Sequence, residues 1–192
     1  MDPLTDPAGG NLTTERLVLG TWSDEDAEGL FELSNDPEVM RHFHAMPTRD
    51  QVQNMVAKHR DNLAAGRPGL YAVRVADTAT FIGFVGLSAA VFDAPFMPCV
   101  EVGWRLRRDA WGHGYATEAA GAALAHGFQT LGLDEIVSFT TVANEPSIAV
   151  MRRLGMHSDP AEDFDHPAVP EGHPIRRHVL YRLTADEWRA RC

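Results

Sequence analysis

The chain has 192 residues, 44% of them hydrophobic, and a formal net charge of −10. This length favours one domain with a sizeable core and excludes wholesale disorder. The acidic balance argues against nucleic acid as a partner, and no apolar run approaches the roughly 18 residues of a membrane span. Residues 1–11, rich in Pro, Gly and Asp, carry no secretory signal, so we expect a flexible tail, then a single domain at 12–192 of a cytoplasmic protein.

Helix caps, apolar periodicity and turn residues divide the chain into alternating elements. Ser23 precedes three acidic residues, and Thr48 precedes Gln51 by three positions, so both are predicted to be helix N-caps. In chain order, the predicted elements are a strand at 16–19, helices at 24–34 and 49–65, strands at 70–75, 80–87 and 99–106, a helix at 116–131, a strand at 133–142, a short helix ending before Gly155, a strand at 178–183 and a helix at 185–192. This order predicts one mixed sheet with helices on its faces.

The strand at 99–106 leads through a turn with two glycines into the helix at 116–131. Gly112 and Gly114 remove two β-carbons, so several N–H groups can converge at the helix N-terminus, which suits a phosphate group. Arg107 and Arg108 add positive charge beside this turn. Glycine is also common in ordinary turns, and these residues alone leave that alternative open. Alternation places four residues on one face of the strand, namely Cys99, Glu101, Gly103 and Arg105.

Five stretches of the chain together resemble the GNAT N-acetyltransferase superfamily. The segment EVGWRL at 101–106, followed by WGHGYATEA at 111–119, is similar to the acetyl-CoA motif of that superfamily. Within it, the branch of ribosomal-protein N-terminal acetyltransferases, the Rim type, shows the greatest resemblance. The other similar stretches are TERLVL at 14–19, NDPEV at 35–39, and NEPS at 144–147 with LGM at 154–156. The resemblance covers about residues 14–183 and is specific for the superfamily but not for a substrate.

The resemblance implies an α/β fold, a mixed and mostly antiparallel sheet of six to seven strands with helices on both faces. It also implies that two central strands, at 99–106 and 135–142, splay apart. Acetyl-CoA is the implied cofactor and CoA the product. The pantetheine arm would lie between the splayed strands, and the pyrophosphate on the N–H groups of Gly112 to Thr117. The implied cofactor-binding residues are Trp104, Leu106, Arg107, Arg108, Trp111, Gly112, His113, Gly114, Tyr115, Ala116, Thr117, Asn144 and Ser147.

Two residues are candidates for the chemistry of acetyl transfer. Acetylation needs a neutral amine, and Glu101 is the candidate general base, acting through water, because partial burial would raise its pKa. The alternative for Glu101 is a structural acid that pairs with an arginine. Many relatives place a tyrosine acid where Met151 stands here, so Ser147 is the candidate donor to the leaving sulfur. Its alternatives are a helix cap or a contact with CoA.

The predicted acceptor site combines aromatic, histidine and acidic residues from distant parts of the chain. Acidic residues of the late loop could attract a cationic amine, although a solvated acidic loop is the alternative. Three histidines in this region, His166, His173 and His178, lack the helical spacing of a metal site, so no metal is expected. The predicted substrate-binding residues are Trp22, His44, Asp163, Asp165 and His166.

The sequence therefore predicts an acetyl-CoA-dependent N-acetyltransferase that acts by direct attack in a ternary complex. The acceptor is predicted to be a primary amine, either a protein N-terminus or a small cationic molecule. The main alternative is a non-catalytic acyl-CoA-binding or sensory module with the same fold. A nucleotide-binding oxidoreductase is disfavoured because the turn lacks the third glycine and the following acid of that motif. A homodimer is a family-level expectation.

Overall fold

The computed structural model describes residues 10–191, so residues 1–9 of the predicted tail and Cys192 of the last predicted helix lie outside the described residues. The strands are β1 (Leu12–Thr13), β2 (Leu17–Gly20), β3 (Leu70–Val75), β4 (Phe81–Ala89), β5 (Val100–Leu106), β6 (Glu135–Thr141), β7 (Phe164–Asp165) and β8 (Arg177–Thr184). The α-helices are α1 (Asp24–Leu33), α2 (Pro37–Met40), α3 (Arg49–Ala64), α4 (Tyr115–Ala125), α5 (Glu145–Arg153) and α6 (Ala185–Arg189).

One sheet contains all of these strands, in the order β1-β2-β3-β4-β5-β6-β8-β7. Its strand pairs are antiparallel except for β5 and β6, which are parallel. The predicted fold class is confirmed. The sheet has eight strands rather than the expected six to seven because two-residue strands, β1 and β7, extend its edges. Such short strands carry too little alternation to stand out in a sequence.

Local sequence accounts for most helix starts. Ser23 caps α1 in a capping box with Asp26, and Thr48 caps α3 in a capping box with Gln51, so both predicted N-caps are confirmed. The short helix α2 was not predicted. Asp36 caps it through a 2.8 Å bond from the Glu38 N–H, within a segment expected only to break α1.

The helices cover both faces of the sheet. Small residues of α4, among them Ala119, Ala120 and Ala123, are fully buried against one face and let the helix backbone approach closely. Helices α1 and α3 cover the other face through Leu30 and Val52. After Ala125, a π-helical turn at His126–Thr130 replaces the predicted continuation of α4. Among the helices of residues 10–191, none combines the length and the apolar character that crossing a bilayer requires.

The two central strands separate along their length. β5 pairs with β4 along its whole length, Val100 to Leu106, whereas it pairs with β6 only at Glu101, opposite Val137. Beyond that point, no strand of residues 10–191 lies beside the edge of β5 that faces β6. The two strands thus splay apart as the resemblance implied, and the fold leaves an opening at the centre of the sheet.

Candidate active site

The opening between β5 and β6 forms a cleft of about 1040 Å³. Its walls come from the two splayed strands, the N-termini of α4 and α5, the segment after α2 and the segment between β7 and β8. Most of the predicted site residues line it, namely Glu101, Trp104, Leu106, Trp111, Gly112, Gly114, Tyr115, Ala116, Thr117, Asn144, Ser147, His44 and His166. The fold therefore brings predicted site residues from five separate segments of the chain to one cleft.

The turn before α4 presents main-chain donors to this cleft. Gly112 and Gly114 have φ angles of +79° and +81°, a left-handed conformation that favours glycine. Gly114 is the N-cap of α4 and has no side chain to cap the helix. Tyr115 to Thr117, the first helical turn, line the cleft. Their N–H groups have no acceptor within the helix, and the helix dipole makes this end electropositive.

Arg16 and Glu118 fix the shape of this turn, a role that the sequence analysis missed. Arg16 donates through Nη1 to the carbonyl oxygen of His113 at 3.0 Å and through Nε to Oε2 of Glu118 at 2.7 Å. Thr14 donates to Glu118 at 2.6 Å. Burial tends to raise the pKa of Glu118, but the bonds from Thr14 and Arg16 lower it overall, so Glu118 stays ionised.

Three of the predicted cofactor-binding side chains do not line the cleft. Arg107 pairs with Asp109 at 3.2 Å, and Arg107 and Arg108 line a separate cavity of about 510 Å³ beside α2. The ring of His113 stacks on Tyr115 with 5.4 Å between centroids. Trp111 lines the cleft and also donates from Nε1 to the carbonyl oxygen of Leu106 at 2.9 Å.

Glu101 lines the cleft without a partner. Its carboxylate makes no hydrogen bond or ion pair within residues 10–191, so the structure does not show the arginine pairing that was the alternative for this residue. Burial raises the pKa of Glu101 to about 8. A carboxyl with this pKa can exchange a proton with water near neutral pH, which is what a general base for an amine requires.

Asn144 and Ser147 lie where α5 begins. Asn144 caps the helix by accepting from the Ser147 N–H at 3.4 Å, and it donates to Thr140 Oγ1 at 2.9 Å. The Ser147 hydroxyl lines the cleft and has no partner among the described residues. It is therefore free to donate to a ligand. Met151, almost fully buried, also lines the cleft and offers no acidic proton.

The structure does not bring three predicted substrate-binding residues to the cleft. Trp22 lies in the core beneath α1 and α3, where its Nε1 donates to the carbonyl oxygen of Leu70 at 2.7 Å. Asp165 forms ion pairs with Arg176 at 3.3 Å and Arg177 at 3.5 Å. Asp163 follows a 3₁₀ turn and does not line the cleft either. The acidic loop thus directs its charge towards arginines and solvent.

Two of the late histidines meet at the wall of the cleft. The rings of His166 and His178 lie 5.0 Å apart between centroids. Nδ1 of His178 lies 3.0 Å from the carbonyl oxygen of Arg176, which only accepts, so this nitrogen carries the proton and Nε2 keeps a lone pair. Nδ1 of His166 instead accepts from the Ala168 N–H at 3.2 Å. The two rings thus present opposite tautomers.

Burial disfavours the protonated form of both histidines. Burial lowers the pKa of His178. Burial, with the nearby His178 and His44, lowers the pKa of His166 to about 4. His173 lies apart and accepts from the Ile175 N–H at 3.4 Å. Within residues 10–191, no group of three or more His, Cys, Asp or Glu side chains is placed to hold a metal ion.

The fold and the cleft combine a helix terminus without a side-chain cap with two splayed strands beside it, the arrangement expected for an acyl-CoA N-acyltransferase. Residues 16–157 match the model of the acetyltransferase (GNAT) domain. The chain therefore belongs to the GNAT acetyltransferase family and is an enzyme of the acetyl-CoA-dependent acyltransferase class.

Individual relatives agree with this membership over most of the chain. An uncharacterized N-acetyltransferase of Bacillus subtilis, YnaD, is 26% identical over 179 residues, which are 93% of this chain and 99% of that protein. A GNAT-family acetyltransferase from Bacillus anthracis has a similar structure, with a TM-score of 0.74 at 24% identity over 92% of this chain and 99% of the other.

More distant structures share the fold and carry specific names. RimL, a ribosomal L7/L12 alpha-N-protein acetyltransferase in complex with coenzyme A, has a TM-score of 0.70 at 16% identity, covering 91% of this chain and 97% of the other. The spermidine N-acetyltransferase of Vibrio cholerae, in complex with CoA and spermine, has a TM-score of 0.71 at 16% identity, covering 91% and 99%. At these identities, the likeness establishes the fold, with Rim-type enzymes among its neighbours.

Proposed function

We propose that this protein transfers the acetyl group of acetyl-CoA to a primary amine by direct attack in a ternary complex. The observation that carries this proposal is the joining of three features in one cleft. These are the splayed edge of β5, the uncapped N-terminus of α4 and the unpaired carboxyl of Glu101. Family membership indicates the reaction class, and these three features suggest where the cofactor binds and which group acts as the base.

The donor side of the cleft comprises the β5 edge, residues 111–117, Asn144 and Ser147. The main-chain donors of Gly112 to Thr117 suit the pyrophosphate of acetyl-CoA, because several N–H groups and the helix dipole act on one anion. The edge of β5 near Trp104 and Leu106, free of β6, suits the amide groups of the pantetheine arm. The thioester would then lie between the two strands, close to Ser147.

The reaction needs one proton removed and one supplied. The amine nitrogen attacks the thioester carbon, the C–S bond breaks, and the amine loses a proton through water to the carboxylate of Glu101. A strand N–H near Leu106 would stabilise the developing oxyanion, and the Ser147 hydroxyl would donate to the leaving thiolate. The products are an N-acetylated acceptor and CoA, with Ser147 reprotonated from solvent.

The acceptor is either a protein N-terminus or a small amine. A cationic acceptor drawn in by the acidic loop has less support than the sequence suggested, because Asp163 and Asp165 lie outside the cleft and Asp165 is already ion-paired.

We further propose that residues 12–192 act as one cytoplasmic domain that pairs as a homodimer. Sedimentation of the purified chain can test the homodimer.

Calorimetry and a thiol-release assay on the full chain test the proposal. Acetyl-CoA should bind with measurable heat, and a panel of primary amines should contain acceptors that release free CoA. No heat with acetyl-CoA or CoA would overturn the proposal entirely. Binding of acetyl-CoA without CoA release on any amine would overturn catalysis and favour the sensory module instead.

A further inference from the structure

The face of β5 that carries Glu101 also carries a deeply placed arginine, Arg105. Its guanidinium lies 4.2 Å from the ring centre of Phe43 and 5.4 Å from that of Phe84, and Nη1 donates to Ser34 Oγ at 3.1 Å. Nε is shielded from solvent and has no hydrogen-bond partner among the described residues. Burial lowers the pKa of Arg105 to about 10, so the group is still a cation at neutral pH.

Arg105 differs from the other arginines within residues 10–191. The arginines with a carboxylate partner within 4 Å are Arg16, Arg41, Arg49, Arg60, Arg74, Arg107, Arg176, Arg177, Arg182 and Arg189. Those without one are exposed to solvent, namely Arg67, Arg108, Arg152, Arg153 and Arg191. Arg105 alone among residues 10–191 is an arginine both shielded and without a carboxylate. A shielded charge without a counter-ion is unfavourable, and the two aromatic rings offset only part of that cost, so an anion beside the guanidinium would stabilise the site.

The carboxylates of the cleft do not serve as that anion. Glu38 pairs with Arg41 at 3.5 Å, and Glu118 pairs with Arg16. Glu101 lies on the same face of β5, four residues away, and makes no ion pair. The cleft thus offers an unsatisfied cation to a ligand.

The anion that Arg105 lacks is not the phosphate of the donor. Its guanidinium reaches Ser34 at the end of α1, on the face of the sheet that α1 and α3 cover. The turn at Gly112 to Thr117 begins α4, which packs on the opposite face. Arg105 therefore belongs to the acceptor side of the cleft, which we define as Arg105, His44, His166 and His178.

We propose that Arg105 binds a carboxylate of the acyl acceptor, so that the substrate is a small molecule with both a primary amine and an acid group. This inference rests on the proposed acetyl transfer to an amine. A planar guanidinium suits a carboxylate because two parallel hydrogen bonds can form. The Cα atoms of Glu101 and Arg105 are about 13 Å apart along an extended strand, so the amine and the acid would lie at different points of one extended acceptor.

Matched pairs of acceptors test this assignment. Each pair consists of an amine with a carboxylate several bonds away, such as an ω-amino acid or a dipeptide, and the same molecule as its carboxamide. Binding to the full chain in the presence of CoA, and CoA release from acetyl-CoA, would be measured for both members. The acid should be preferred by roughly tenfold to a hundredfold in kcat/KM, the size of a charge-assisted hydrogen bond.

Variants then assign the preference to one side chain. Arg105→Met should abolish the preference for the acid, so that the ratio of kcat/KM for the acid to that for the carboxamide falls to about one, and Arg105→Lys should restore part of the preference. Arg189→Met, which removes a surface arginine paired with Asp186, is the matched charge control and should keep the preference. The melting temperature of ligand-free Arg105→Met should not fall, because the change removes an unpaired buried charge.

The outcomes separate this inference from the proposed function. Equal kcat/KM for acids and carboxamides, no binding of either member of any pair, or unchanged selectivity in Arg105→Met would overturn the carboxylate site. Loss of acetyl-CoA affinity in Arg105→Met would also overturn it, since the anion would then belong to the donor. If carboxamides alone release CoA, the acetyltransferase proposal stands without the carboxylate site.

Discussion

The donor and acceptor sides of the cleft are built in different ways. On the donor side, consecutive residues from Gly112 to Thr117 present main-chain groups, and Arg16 and Glu118 hold their shape. On the acceptor side, single side chains come from separate segments, namely His44 after α2, Arg105 on β5, His166 after β7 and His178 on β8.

This difference predicts different consequences for mutation. Main-chain donors cannot be removed by changing a side chain, so phosphate binding by the turn at Gly112–Thr117 is sensitive only to changes that alter the backbone conformation. Each acceptor-side group is a side chain, so a single substitution there should change selectivity while the donor still binds. The substitution with the largest expected effect is at a glycine of the turn before α4.

Gly114→Val should nearly abolish acetyl-CoA binding. The φ angle of +81° at Gly114 strains any β-branched residue, so the turn should rearrange and several donors to the pyrophosphate should be lost together. We expect the dissociation constant for acetyl-CoA, measured by calorimetry, to rise roughly a hundredfold or more.

Gly132→Val is the matched control. Gly132 also has a positive φ angle, +66°, but it lies after the π-helical turn, away from the cleft, with no atom within 4 Å of an added β-carbon. Gly132→Val and Gly114→Val should lower the free energy of unfolding by similar amounts, about 1–2 kcal/mol, but Gly132→Val should keep its affinity for acetyl-CoA. Equal loss of affinity in both variants would show that the donor turn has no special role.

The turn at Gly112–Thr117 could be predicted from the sequence because its signals are local. A turn and a helix start are local features, and Gly112, Gly114 and the helix that follows can be recognised without knowing what surrounds them. The same holds for the N-caps Ser23 and Thr48. Two-residue edge strands and a four-residue helix are also local, but they are too short to show periodicity.

The next largest effect is expected for Glu101→Gln, which should change the turnover rate rather than the affinity for acetyl-CoA. Because burial raises the pKa of Glu101 to about 8, wild-type kcat/KM should increase as pH rises through that value, when the carboxylate forms. The glutamine variant should lose roughly a hundredfold in kcat and should lack this part of the pH profile. Its acetyl-CoA affinity should remain unchanged, because Glu101 is no part of the phosphate-binding turn.

Stability gives an independent check of the same group. Because the pKa of Glu101 is higher in the folded chain, the unfolded chain loses this proton first as pH rises. The free energy of unfolding of the wild type, relative to Glu101→Gln, should therefore decrease as pH rises from 4.5 to about 8. Glu25→Gln, at an exposed position of α1, is the control for loss of one carboxylate. An unchanged pH profile in Glu101→Gln would remove Glu101 from the role of base.

The acceptor side was less predictable because its groups meet only through tertiary packing. Trp22 was expected in the pocket, but its indole N–H is satisfied by Leu70 within the core. Arg105 was placed on the correct face of β5 by simple alternation. The residues beside its guanidinium come from the end of α1, the segment after α2 and β4, and no spacing in the sequence predicts that they include no carboxylate.

Ser147→Ala should have the smallest effect and decides how far the donor side takes part in chemistry. Its hydroxyl is unpaired and lines the cleft, whereas the cap of α5 uses the Ser147 N–H and survives the change. If the hydroxyl donates to the leaving sulfur, kcat should fall about fivefold with little change in KM for acetyl-CoA, the size of one neutral hydrogen bond. A higher KM with unchanged kcat would instead make Ser147 a binding contact, and the donor side would then act through binding alone.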